Sequence, residues 1–192
     1  DFTASIFAKL LGVKHLSIWT DVDGIYSADP RRVKTARVLD ELSYAEALEM
    51  AYFGANVVHP NTISPAMDEQ INIHIRNSFN PEAMGTRIVA NRQDGCGVVQ
   101  GLTSIDAVAM VSVEGTGMMG VSGVAARTFN VLHQAGISVI LISQASSEYS
   151  ICFAVDKAQG AAAVQVLEAH FKVELNNGWI DRITANTHCA IL

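Results

Sequence analysis

The apolar run His15-Leu16-Ser17-Ile18-Trp19 opens directly into Thr20-Asp21-Val22-Asp23-Gly24-Ile25-Tyr26-Ser27-Ala28-Asp29-Pro30-Arg31, a loop rich in acids and closed by a Pro-Arg stop. A short apolar strand that empties into such a loop needs a sheet to carry it. In open α/β folds, ligands collect beyond the carboxyl ends of the strands. Thr20 and Asp21 can hydrogen-bond a hydroxyl-bearing ligand there, Tyr26 can stack on a planar ring, and Arg31 can reach a phosphate. Together they make a candidate nucleotide site. The same residue types also build an ordinary acidic surface turn, because Asp, Gly and Pro are standard turn formers, so residue chemistry alone leaves both readings open.

The first half around this loop reads as alternating helices and strands. Asp1 stands at an N-cap position before Ile6, Phe7, Leu10 and Leu11, a helical pattern stopped by Gly12. A lone helix feeding one strand is a poor start for an independent parallel sheet, so the chain is expected to begin inside a domain. Ser43 and Glu46 have the spacing of a capping box, with Leu48, Ala51 and Tyr52 continuing an apolar face towards Ala55 and Gly54 helping to end the helix. His59-Pro60 leads into a short helix over Thr62 to Met67. Ile71 to Arg76 alternates as a half-buried strand does, and 77–85 reads as loop. The polar, glycine-rich stretch Ala90 to Gly97 is the expected domain boundary.

The second half has a β-α-β-β-α-β rhythm. Ala107 to Val113 reads as a strand, Val121 to Ala135 as a helix stopped by Gly136, and Ile137 to Ser143 with Glu148 to Val155 as a hairpin. Asp156 can cap a helix that carries Ala161, Val164, Leu167 and Phe171 on one face, and β signals return at Trp179 to Ile183 and Cys189 to Leu192. This order is ferredoxin-like. The last run, His188 to Leu192, reads as the opening strand of a second such unit. Gly115-Thr116-Gly117-Met118-Met119-Gly120 is formally a G-x-G-x-x-G between strand and helix. A dinucleotide site would want an acid at the end of the next strand, and that strand ends in Ser143-Gln144. The glycines suit a loop whose N–H groups meet a small carboxylate.

Composition narrows the partners. A net charge of -6 argues against nucleic acid, which wants a basic face. The 3 cysteines, Cys96, Cys152 and Cys189, are odd in number and far apart, as expected of reduced thiols in a cytosol-like compartment. No C-x-x-C or histidine pairing gives metal spacing, and no apolar run approaches the roughly 20 residues of a membrane span. His59, next to Pro60, is read as a structural hydrogen-bonder.

Three longer motifs carry a family resemblance. The loop 19–31, the run Ser43-Tyr44-Ala45-Glu46-Ala47 with Phe53 to Pro60 (FGANVVHP), and Ile142 to Val155 (ISQASSEYSICFAV) follow one another in an order that resembles aspartokinase. The branch most resembled is the bifunctional aspartokinase–homoserine dehydrogenase, whose regulatory segment carries a similar QxSSE stretch. The resemblance implies the C-terminal part of an amino-acid-kinase α/β sandwich over residues 1–91 and an ACT regulatory domain over residues 98–192. It implies transfer of the ATP γ-phosphate to aspartate, with Mg²⁺ carried by the phosphates. By the same resemblance, Thr20, Asp21, Tyr26, Arg31 and Asn56 belong to the nucleotide site and Asp1 to the aspartate site. Many members have lysine at the position of Asn56, and asparagine keeps a donor but loses the charge.

In the second half, the resemblance marks Ile142 and Gln144 as effector contacts. Ser122, Ser138, Val139 and Ile140 are expected to face the same cleft or its symmetry mate, although an apolar run such as Val139, Ile140 and Ile142 also reads simply as core. The effector would be L-threonine or L-lysine, and the assembly at least a homodimer in the cytoplasm, or in the plastid of a plant. The family's lysine-bearing phosphate loop lies upstream of these motifs, so this chain alone is not expected to be active. Two other readings fit the same motifs: an amino-acid-sensing module, or the linker of a bifunctional enzyme.

Overall fold

The computed structural model describes residues 1–54, 57–92, 99–144 and 149–192, arranged as two compact units. The first comprises Asp1–Ser104 with Leu192, and the second Ile105–Ile191. The expected boundary around 90–97 falls largely outside the described residues. Residues 99–104, which follow it, pack with the first unit.

In the first unit, α1 (Phe2–Leu11), β1 (His15–Thr20), β2 (Glu41–Ser43), α2 (Tyr44–Tyr52), α3 (Pro60–Asp68), β3 (Asn72–Asn77) and β4 (Thr86–Val89) follow in order. The sheet runs β1-β3-β4-β2; β1 and β3 are parallel, and so are β2 and β4, while β3 and β4 are antiparallel. The alternation of β3 places Ile73 and Ile75 in the core with Ile18, Leu42 and Ile88. Each such isoleucine contributes about 1.5–3 kcal/mol by leaving water. Tyr44 is buried among them, and its hydroxyl donates to the Ile71 carbonyl at 2.7 Å. That burial pushes the phenol pKa upward.

The capping box forms as expected. The Ser43 hydroxyl accepts from the Glu46 N–H at 3.2 Å, and the Glu46 carboxylate accepts from the Ser43 N–H at 2.7 Å. The helix stops at Tyr52, short of Ala55, which lies outside the described residues. α3 begins earlier than Thr62, because Pro60 takes the first helical position and His59 caps it, Nδ1 accepting from the Asn61 N–H at 3.1 Å. α1 buries Ser5 and Ala8, whereas Leu10 is 75% exposed and Phe7 and Leu11 are also exposed. Its small side chains let it lie close to α3.

The second unit is the expected ferredoxin-like β-α-β-β-α-β: β5 (Ile105–Glu114), α4 (Val124–Gln134), β6 (Val139–Ser143), β7 (Ser150–Asp156), α5 (Gly160–His170) and β8 (Arg182–Ile191), with a short α6 (Lys172–Asn176) before the last strand. The sheet order is β6-β7-β5-β8, every pair antiparallel. Val111, Val113, Ile151 and Phe153 pack with Leu132 of α4 and Leu167 of α5. α4 starts at Val124, not Val121, because Gly120 and Gly123 hold left-handed conformations, φ 72° and 88°, that break the helix before it.

One expectation is corrected here. The β signals at Trp179 to Ile183 and Cys189 to Leu192 do not make two strands: Arg182–Ile191 is one strand that pairs along β5, Ile183 opposite Val113 and Cys189 opposite Val108. The polar residues Thr184, Asn186 and His188, which look like a break, are the exposed face of an alternating strand. Register shifts near Val108 let the pairing continue to Ile105.

Candidate functional site

Short turns reverse the chain between α1 and β1 and between α3 and β3, so the N-terminal ends of both helices share an edge with the carboxyl ends of the parallel strands β1 and β3. Asp1, Thr20, His59 and Asn77 therefore lie at that edge. The loop after β1 is fastened there along its length. The Thr20 carbonyl accepts from the Ser78 N–H at 2.8 Å, and the Ile25 N–H donates to the buried Thr86 hydroxyl at 2.8 Å, which itself donates to the Leu39 carbonyl at 2.6 Å. Tyr26 forms an antiparallel bridge with Val38, and the Ser27 N–H donates to the Arg37 carbonyl at 2.8 Å. A loop held this firmly has little ordering entropy left to lose when a ligand arrives.

The polar side chains named from sequence stand on this scaffold. The Thr20 hydroxyl donates to Asp21 at 3.1 Å, Asp21 is exposed and Tyr26 is half-buried. The Arg31 side chain is 89% exposed and is not free: Asp29 Oδ1 accepts both its backbone N–H at 2.9 Å and its Nε at 3.2 Å. The Arg31 backbone N–H, and then its guanidinium, hold the Asp29 carboxyl below its usual value. Asp1 is exposed at the N-cap of α1 and makes no side-chain capping bond. Asn56 lies outside the described residues.

Sequence reasoning did not single out Asp23, Asn77 and Asn80. Asn77 Nδ2 donates to Asp23 Oδ1 at 2.7 Å and Asn80 Nδ2 to the same oxygen at 3.1 Å. The N-S-F-N run that begins at Asn77, at the end of an alternating strand, is the only local hint of it. Beside the FGANVVHP motif, a concavity of about 350 Å³ is lined by Ala51, Tyr52, Val58, His59 and Pro60. Among the described residues, no group of three or more His, Cys, Asp or Glu side chains is placed to hold a metal ion.

Among the described residues of the second unit, β6 pairs only with β7 and so stands at the sheet edge. None of its residues is fully buried: Val139 and Ile140 are half-buried and Ile142 is 55% exposed. Gln144 is exposed just past the strand, and Ser122 is exposed just before α4. β5 and β6 run the same way, with α4 returning between them, so Ser122 and Gln144 share one edge. Ser138 lies at the opposite end of β6, roughly 20 Å of extended chain away.

The glycine loop is explained by packing. A Cβ on Gly117 would lie 2.5 Å from the Trp179 Cα, and one on Gly115 would strike the same passing segment. The N–H groups of Gly115, Gly117, Met118, Met119 and Val121 donate to carbonyls of Tyr149, Trp179, Gly115, Thr116 and Met118. They do not form an open cradle for a carboxylate, so that expectation is corrected.

Two units of this kind, a parallel-edged kinase-type sheet and a ferredoxin-like unit, define an amino acid kinase portion followed by an ACT domain. Residues 1–77 match the amino acid kinase family and residues 111–171 the ACT domain. Along its whole length the chain is homologous to a segment of the bifunctional aspartokinase/homoserine dehydrogenases. It is 49% identical over 199 residues to the chloroplastic enzyme of Daucus carota, covering 100% of this chain and 22% of that protein. The structure of E. coli aspartokinase III in complex with lysine and aspartate superimposes with a TM-score of 0.76 at 32% identity, covering 99% of this chain and 41% of that one. The same enzyme in complex with aspartate and ADP gives a TM-score of 0.78 at 31% identity, covering 99% of this chain and 42% of that one. The chain thus spans about a fifth of the length of the curated relatives it matches, 22% for the carrot protein.

Proposed function

We propose that this chain works within an aspartate kinase, which forms 4-phospho-L-aspartate and ADP from L-aspartate and ATP on the way to lysine, threonine and methionine. The observation that carries the reading is the loop from Thr20 to Arg31. It is fastened at the carboxyl edge of the parallel strands β1 and β3 and leaves polar and aromatic side chains at that edge. In this reading Thr20 and Asp21 hydrogen-bond the nucleotide, Tyr26 packs on its base, and Arg31, steered by Asp29, meets a phosphate. Asp1 meets the aspartate. Asn56 gives the phosphates a neutral donor where many relatives have lysine, so other cations of the full-length protein carry that charge.

The chemistry needs alignment more than acid–base work. A side-chain carboxylate with a reference pKa near 3.9 is already ionised at neutral pH. One of its oxygens bonds to the γ-phosphorus as the bond from that phosphorus to the β,γ-bridging oxygen breaks, and ADP leaves with the electron pair. Mg²⁺, entering with the nucleotide, supplies positive charge to the phosphates. The residues of the loop hold the nucleotide in line with the attacking oxygen.

The ACT unit is the regulatory part in this reading. Gln144 offers a donor and an acceptor to the polar groups of an amino acid, with Ile142 and Ser122 at the same edge. Threonine or lysine is the effector; the structural relative crystallised with lysine supports an amino-acid ligand of this class. The unpaired edge of β6 suits a homodimer built through ACT units. A homoserine dehydrogenase partner domain, as in the bifunctional relatives, fits the same chain, and the setting is then the cytoplasm, or the plastid where the host is a plant. Aspartate-dependent release of ADP by the full-length protein tests the reading, and ATP turnover indifferent to aspartate would refute it.

A further inference from the structure

Thr20 and Asn77 are register partners at the carboxyl ends of β1 and β3, so the loops that leave these strands begin side by side. They are tied twice. The Ser78 N–H donates to the Thr20 carbonyl at 2.8 Å, and beyond it the Asp23 carboxylate takes Asn77 Nδ2 at 2.7 Å and Asn80 Nδ2 at 3.1 Å on one oxygen. Asn77 is only 9% exposed, and its Oδ1 accepts from the Phe79 N–H at 2.8 Å, so its amide is fixed at both ends. The short segment between the two ties is Asp21 and Val22.

We propose that Asp23 is a positioning residue of the nucleotide site, its carboxylate gripped by Asn77 and Asn80 so that the Thr20–Asp21 ledge is held where it meets the nucleotide. This rests on the aspartate kinase reading. Backbone ties at Thr20 and Ile25 fix the two ends of the turn, and the Asp23 carboxylate is the side-chain hold on the segment between them. Asp23 needs no contact with ATP to act: a displacement of about 1 Å at a binding group costs up to roughly 100-fold in rate. Asn77, its amide fixed at both ends, and Asn80 hold the same carboxylate oxygen. In that reading aspartate is met by Asp1 and the nucleotide by the ledge, so the two substrates should respond differently.

The test uses the full-length protein, with initial rates measured while ATP and aspartate are varied in turn, and with the dissociation constant of a fluorescent ADP analogue as a second readout. Asp23→Ala and Asn77→Asp should each raise KM for ATP and weaken the analogue by about 10-fold, within the range a displaced ledge allows, while KM for aspartate changes less than about 2-fold. Asp23→Asn, which keeps the accepting oxygen, should lose less. The exchange Asp23→Asn with Asn77→Asp reverses donor and acceptor across the same gap and should return most of the lost affinity. If Asp23→Ala fails to fold, the exchange pair decides alone. Equal loss for both substrates, unchanged ATP parameters, or an exchange no better than its worse single variant would each overturn the proposal. A wild-type protein without aspartate-dependent turnover would overturn the functional reading, and the positioning role with it, before any variant is compared.

Discussion

The backbone N–H of Leu102 donates to the carbonyl of Ser27 at 2.8 Å. Ser27 lies in the middle of the loop that follows β1, and Leu102 lies three residues before the first strand of the ACT unit. Arg32 Nη1 also donates to Ser104 Oγ at 3.2 Å, so the segment that becomes β5 is hydrogen-bonded to the loop on both sides of Asp29. Both bonds lie within the first unit, at the segment from which β5 continues.

Leu102→Pro removes that N–H and leaves the loop's own anchors at Ile25 and Ser27 in place. In the full-length protein the uninhibited rate should stay within about 2-fold, while the effector concentration for half inhibition rises about 5-fold or more, the lower end of ordinary allosteric couplings. Inhibition curves for threonine and lysine read this directly. An unchanged curve would remove the linker from the regulatory path.

Gly117→Ala should destabilise the ACT unit by roughly 1–3 kcal/mol, the usual cost of overpacking, since its Cβ meets backbone at Trp179 and not the end of a flexible side chain. Urea denaturation followed by tryptophan fluorescence, with Trp179 as a local reporter, checks this. Stability equal to wild type would return the glycine to the list of candidate ligand contacts.

Arg127 donates to Glu174 at 2.6 Å, and its guanidinium lies 4.7 Å over the Phe171 ring, joining α4 to the last helical turns. The Arg127 hydrogen bond holds the Glu174 carboxyl below its usual 4.5. A carboxyl whose folded pKa is depressed contributes stability that is complete above its unfolded pKa and is lost as pH falls through the lower, folded value. Glu174→Gln should therefore cost about 0.5–1 kcal/mol at pH 7, in line with a partly exposed pair, and almost nothing near pH 2. Denaturation midpoints of the two proteins at both pH values give the comparison; a gap that persists in acid would mean that packing, not charge, joins these helices.

Local rules were readable from the residues themselves. Ser43 with Glu46, His59 before Pro60, and the alternation of Ile71, Ile73 and Ile75 each declare their structure within a few positions, and the ferredoxin-like order follows from the spacing of apolar runs. The loop after β1 was readable as a loop at a strand end, while its residue types alone left a ligand site and an acidic turn both open. Long-range pairing was not readable. The grip of Asn77 on Asp23 joins residues 54 positions apart, and neither residue type in its own neighbourhood asks for the other. β8 was divided in two because its exposed face is as polar as a loop, and only its register on β5 shows it to be one strand. α1 hides its small residues, since close approach to α3 rewards Ser5 and Ala8 over Leu10.

Formation of aspartyl hydroxamate by the full-length protein, with ATP and aspartate present and hydroxylamine as the trap, tests phosphorylation of the aspartate side chain most directly. Hydroxamate should appear only when both substrates are supplied, and should fall as threonine or lysine is added. A well-folded protein that binds threonine or lysine but yields no hydroxamate would contradict the kinase reading and leave amino-acid sensing as the function.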